Sequence, residues 1–295
     1  KDDPEYIAYE LLQETAFPGQ AVGRPILGTP KSVRSITAAD LKGFLARKYA
    51  PQAMVFSAAG AIDHDAWVRH VEALFGGLTP RKDGGESRAH YVGGISASAK
   101  SFEQAHLLIG FPSPSILDDD YMTAQVFSGV LGGGMSSRLF QEVREKRGLC
   151  YAIYSSLWGL RDTGMLAVHA ATGARMVDEL AGVVAGELAA LAAEGPGAGE
   201  LHRAKAQLKA GLLMALESSS VRAEQMARHI LAHDRIISPA ELTRRVEHVT
   251  PERVQHLART LLEQRPTLAL VGSGRKAKEQ AENAAAAIAK TIMRV

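Results

Sequence analysis

Apolar residues recur at helical spacing from the start of the chain. Ile7, Leu11 and Leu12 form a stripe behind Asp3-Pro4-Glu5, a helix start with Asp at the cap, Pro at the first helical position and Glu in the first turn. Residues 19–30, rich in Gly and Pro, read as a loop. Thr37 opens a second helical pattern, with Asp40 at its third position and Leu41, Phe44 and Leu45 turned inward. Residues 54–59 predict a short buried strand closed by Gly60. Asp63 then caps a helix carrying Trp67, Val71 and Leu74. Residues 79–94 hold Pro80, Gly84, Gly85 and a cluster of charges, with little to bury, and mark a linker.

Strand and helix patterns both become denser after it. A strand is expected near 102–110, a helix over 121–131, the turn Gly132-Gly133-Gly134, and a helix over 136–146. Strands follow near 151–157 and 165–171. Residues 175–194 and 198–216 predict two long helices broken at Gly195-Pro196-Gly197. Ser238-Pro239-Ala240-Glu241 is a capping box, and Thr250-Pro251-Glu252 a related cap. Residues 268–271 should form a last strand and 275–293 an Ala-rich terminal helix. One strand in residues 1–80 is too little sheet for an independent domain. That segment reads as the rear part of a domain, 81–95 as the linker, 96–272 as a second domain and 273–295 as a helical tail. Lys1 is neither an initiator Met nor part of a signal peptide. The chain is therefore expected to be the remainder of a longer one, and its compartment stays open.

Composition narrows the function classes. A length of 295 residues suggests about two domains. With 46% hydrophobic and 22% charged residues, the chain can bury a sizeable core, which excludes general disorder. No apolar run approaches the roughly 20 residues that span a bilayer. Basic and acidic residues number 34 and 32, too balanced for an electrostatic grip on nucleic acid. The single cysteine, Cys150, excludes an internal disulfide and an all-Cys zinc site.

Candidate chemistry is sparse. His229 and His233 sit one helical turn apart, but the zinc-helix motif needs a Glu between them and the sequence has none. The pair reads as structural. Gly132-Gly133-Gly134 lacks the Lys-Ser/Thr of a phosphate loop and fits a turn that lets a backbone approach closely. Ser136 and Ser137 have no identifiable acid–base partner, and Cys150 reads as a small buried hydrophobe. Arg144, on the last turn of a helix, and Tyr151, on the strand after Gly148, are of more interest. A guanidinium can hold a peptide carbonyl, and a phenol can donate to an oxyanion. Each is also common at such a position for purely structural reasons.

In order, these segments resemble the pitrilysin/insulinase family of zinc peptidases, in the branch related to mitochondrial processing peptidase. Asp2-Asp3-Pro4 and Gly23-Arg24-Pro25-Ile26-Leu27-Gly28-Thr29 are similar to the end of its catalytic domain. Tyr49-Ala50-Pro51-Gln52 and Ala59-Gly60-Ala61-Ile62-Asp63-His64 continue the likeness. Leu131 to Phe140, running on through Val143-Arg144-Glu145 to Cys150-Tyr151, is its most specific stretch. The resemblance implies an α+β chain of two similar α/β sandwich domains, the first incomplete here. It also implies hydrolysis of extended peptides in a chamber between two halves, by a zinc held on an H-x-x-E-H helix and a distal Glu. No H-x-x-E-H occurs in this sequence, and the distal Glu would precede Lys1. No catalytic or metal residue is therefore carried over, and no zinc is expected on this chain. Glu5 and Glu10 are the nearest carboxylates, but the family spacing points to neither. Arg144 and Tyr151 match the family's substrate-gripping pair, and Glu103–Phe111 is a weaker candidate for lying near bound peptide. The implied partners are a peptide substrate and a second family half in a homo- or heterodimer. A non-catalytic partner subunit, or a scaffold like the core proteins of ubiquinol–cytochrome c reductase, is the alternative.

Overall fold

The computed structural model describes residues 3–80 and 88–292; the part of the expected linker at 81–87 lies outside the described residues. The helices and strands run in the order α1 (Pro4–Ala16), α2 (Pro30–Ser35), α3 (Ala38–Lys48), α4 (His64–Phe75), β1 (Gly94–Ser113), α5 (Tyr121–Gly132), β2 (Cys150–Gly159) and β3 (Gly164–Thr172). They continue with α6 (Val177–Glu194), α7 (Ala198–Ala215), α8 (Ser219–His233), α9 (Pro239–Glu247), α10 (Pro251–Leu262), β4 (Thr267–Ser273) and α11 (Ala277–Ile292). The chain forms two compact units. Among the described residues one comprises 3–25, 88–209 and 243–292, and the other 26–80 and 210–242.

The first unit is built on a four-stranded sheet in the order β2-β3-β1-β4. β1 and β3 are antiparallel, with Leu108 opposite His169 and His106 opposite Ala171. β1 meets β4 twice. Gly94–Ser98 runs alongside Thr267–Val271 in parallel, and after an irregularity around Ser101, His106–Gly110 faces the same residues in reversed order. Both faces are covered, which is why β3 reads as an unbroken buried run.

One face is covered by α1. Asp3 caps that helix through the backbone N–H groups of Glu5 and Tyr6, at 3.0 and 3.2 Å. Ala8, Leu12 and Ala16, four residues apart, lie with Phe17 on Leu108, Met165, Ala167, Ala269 and Val271. Residues alternating with these on the strands, such as Leu107, Ile109, Val168 and Leu270, are equally buried. Helices α5, α10 and α11 also meet the sheet, and α6 packs on α10 and α11.

The second unit contains α2, α3, α4 and α8. Thr37 and Asp40 form a capping box on α3, and Asp63 caps α4 through Ala66 N–H at 2.8 Å. Two sequence expectations fail in this unit. Leu41, Phe44 and Leu45 do not turn inward: they are 56, 50 and 49% exposed, because α3 packs only sparsely on the other elements. Residues 54–59 are half-buried for the most part but form no strand, since the described residues of this unit contain no strand to pair with. Instead Phe56 packs on Phe75 of α4, ring centroids 4.4 Å apart.

Candidate functional site

Residues 132–151 form the stretch richest in candidates, and most of its polar groups are committed to the fold. The Gly132 backbone lies directly on β2, where an added Cβ would fall 2.5 Å from Ser155 N. Ser155 Oγ donates to Ser128 O at 2.7 Å from the same strand. The close approach expected of this glycine turn is thus to the chain's own strand. Ser137 Oγ donates to Gly134 O at 2.6 Å, a bond within the turn. Arg138 forms a two-pronged pair with Glu200, Nε to Oε1 and Nη2 to Oε2, both at 2.8 Å. It also donates to Gly195 O at 3.2 Å. The Arg138 hydrogen bonds hold the Glu200 carboxyl below its ordinary range, against the opposing effect of burial. This arginine pins the 195–197 break to the turn.

Arg144 and Tyr151 are placed differently. The helical segment ahead of Gly148 is wound as a π-helix over Phe140–Glu145, a form frequent at functional sites. The Arg144 guanidinium stacks 4.7 Å over the Phe140 ring. Gly148, at φ +62°, takes the left-handed conformation that ends the helix, with Gly148 N–H donating to Arg144 O at 3.1 Å. β2, an edge strand of the sheet, begins at once. Cys150 pairs with Thr172 and Ala152 with Ala171, leaving Tyr151 as the extra residue of a β-bulge. Bulges re-aim side chains, and Tyr151 is 69% exposed beside buried Cys150. Burial pushes the Cys150 thiol up to about 11 even though the Arg144 charge works the other way, so it is no thiolate nucleophile at neutral pH.

Of the residues near Glu103–Phe111, those from Ala105 to Phe111 are buried in the sheet. His229 and His233 sit in the second unit, where His229 Nδ1 accepts from Ile237 N–H at 3.2 Å.

A further cluster escaped the sequence reading. Glu5, His106 and His169 bring one ligand-type atom each to within 4.8 Å of one another. His106 Nδ1 and His169 Nε2 are 3.0 Å apart, and Tyr154 Oη donates to Glu5 Oε1 at 2.5 Å. Burial depresses both imidazoles, His169 to about 4, with the Glu5 charge opposing the shift. The three residues stand at positions 5, 106 and 169, and only the β1–β3 register and the docking of α1 unite them. A histidine inside each of two apolar strand runs was the one signal available beforehand. The set does not fit the family's zinc motif, since the two histidines come from different strands and not from one H-x-x-E-H helix.

The comparisons follow this geometry. Residues 35–208 match the model of the peptidase M16 inactive domain. An uncharacterized zinc protease of Streptomyces coelicolor is 34% identical over 281 residues, covering 92% of this chain and 61% of that protein. One from Mycobacterium tuberculosis is 36% identical over 279 residues, covering 92% and 63%. The chain therefore spans less than two thirds of the length of these relatives. Among solved structures, a chain of complex III2 from Candida albicans superposes with a TM-score of 0.88 at 20% identity, over 97% of this chain and 70% of that one. The peptidase M16 inactive domain from Pseudomonas fluorescens gives 0.78 at 24%, over 91% and 66%. Those two likenesses establish a shared fold. The match over 35–208 establishes more: the chain belongs to the M16 peptidase family, the pitrilysin-type zinc peptidases, and carries that family's inactive domain.

Proposed function

We propose that the chain is the substrate-gripping portion of a zinc-dependent endopeptidase that hydrolyses extended peptides in a chamber between two halves. It would hold the peptide while the other half supplies zinc, water activation and the general base. In this reading Arg144 donates to a backbone carbonyl of the peptide, and the Tyr151 hydroxyl donates to the carbonyl oxygen as charge develops there. The chain alone lacks the H-x-x-E-H residues and is inactive. The observation that carries the reading is the bulge at Tyr151. It turns a phenol outward from an edge strand immediately after the helix that bears Arg144.

The test is peptide cleavage by this chain together with a zinc-bearing half, normalised to folded material. Tyr151→Phe keeps the ring and removes the donor, so turnover should fall on the order of 10²–10³-fold if that donor serves the transition state. Zinc content and thermal stability should hold. Arg144→Lys should also lower turnover, because an ammonium does not reproduce the planar fork of a guanidinium. Unchanged turnover in both variants would remove the pair from the site.

A second reading is a partner or scaffold subunit that lends this face to an assembly without catalysing. The fold shared with a chain of complex III2 supports it. An intact H-x-x-E-H in the half that accompanies this chain favours the enzyme, and a degenerate one favours the scaffold.

A further inference from the structure

We propose that Glu5, His106 and His169 form a binding site for one divalent transition-metal cation, with zinc the best match, on the sheet face that α1 covers. The register builds the pair. His106 lies opposite Ala171, two residues from His169, so both imidazoles project from the same face as diagonal neighbours. Glu5, in the first turn of α1, closes the set from above.

The spacing suits a small cation. Zinc–imidazole bonds of about 2.0–2.1 Å in a tetrahedron put two ligating nitrogens roughly 3.3 Å apart. The 3.0 Å between His106 Nδ1 and His169 Nε2 needs only a few tenths of an ångström of widening. The donors, two imidazoles and one carboxylate, favour zinc, cobalt or nickel over magnesium and calcium, which take all-oxygen shells.

A further observation points to a ligand. The carboxylate is held from behind. Tyr154 donates to Glu5, Tyr9 Oη lies 3.3 Å from Tyr154 Oη, and the Tyr154 ring packs on His169 with centroids 4.9 Å apart. Such outer partners orient metal ligands.

The site is independent of the proposed peptidase role, and it departs from the sequence expectation that this chain binds no zinc. The experiment uses the 295-residue chain, stripped with chelator and dialysed. It is titrated with cobalt chloride, then with zinc chloride, following metal per chain and the visible spectrum. The expected result is one cobalt per chain, with the visible absorption of a low-symmetry site, displaced by one zinc. Zinc should also raise the melting temperature. Glu5→Gln should weaken binding at least about tenfold and His169→Gln should abolish the spectrum. Tyr154→Phe, with all three ligands present, should weaken it by roughly 10–100-fold. His233→Asn should change nothing. Absence of the spectrum in the parent chain would overturn the site, and so would wild-type binding by Glu5→Gln, whose first-turn position leaves the fold intact. Loss of binding in His233→Asn would move the metal elsewhere and equally overturn it.

Discussion

Arg138 and Glu200 make the clearest case at the scale of single residues. Their side chains are 15 and 26% exposed, so Glu200→Gln leaves a guanidinium half-satisfied and should cost about 1.5–3 kcal/mol. The pH dependence has a definite sign. The folded carboxyl titrates below its unfolded range, so its contribution is complete above the unfolded value of about 4.3. It is lost as pH falls through the depressed folded value. Denaturation of parent and variant across acidic pH measures this, and a difference that ignores pH would contradict the pairing. Arg144 and Tyr151 were singled out in the sequence by their match to the substrate-gripping pair of the family it resembles, since each is also common at such a position for structural reasons. The bulge that exposes Tyr151 was not, because it depends on the Thr172 and Ala171 register. The Glu5, His106 and His169 cluster was hidden for the same reason: no local spacing connects residues on a helix and two distant strands.

Elements were readable where their ends are chemically marked. The caps at Asp3, Thr37, Asp63 and Thr250 all stand where the side-chain pattern puts them. So does the break between α6 and α7 at Gly195-Pro196-Gly197. Residues 54–59 failed as a strand because an apolar run specifies extension but cannot supply the neighbour that a strand requires. Two glycines inside helices make opposite predictions. Gly132→Ala would drive a Cβ into the β2 backbone and should destabilise by about 1–3 kcal/mol. In α6 nothing stands within 4 Å of a Cβ at Gly182, so Gly182→Ala should stabilise by about 0.4–1 kcal/mol. Urea denaturation of the two variants checks both signs, and equal midpoints would contradict the packing of α5 on β2.

For the whole molecule, the contrast between the two units matters most. The first buries both faces of its sheet. The second leaves Ile26, Leu27, Leu41 and Phe44 at 91, 70, 56 and 50% exposure. An apolar surface of that kind drives association, so the isolated chain should form dimers or larger species. Light scattering that finds a monodisperse monomer at micromolar concentration would contradict this. No helix among the described residues is long and apolar enough to cross a membrane.

The central claim, a chain that grips peptide and depends on another half for its zinc chemistry, is tested most directly by reconstitution. Hydrolysis of a fluorogenic extended peptide is followed with the chain alone, with a zinc-bearing half containing H-x-x-E-H, and with both together. The expected result is chelator-sensitive turnover only in the mixture, reduced at least about a hundredfold when the added chain carries Tyr151→Phe. Chelator-sensitive hydrolysis by the chain alone, or a mixture indifferent to Tyr151→Phe, would contradict it.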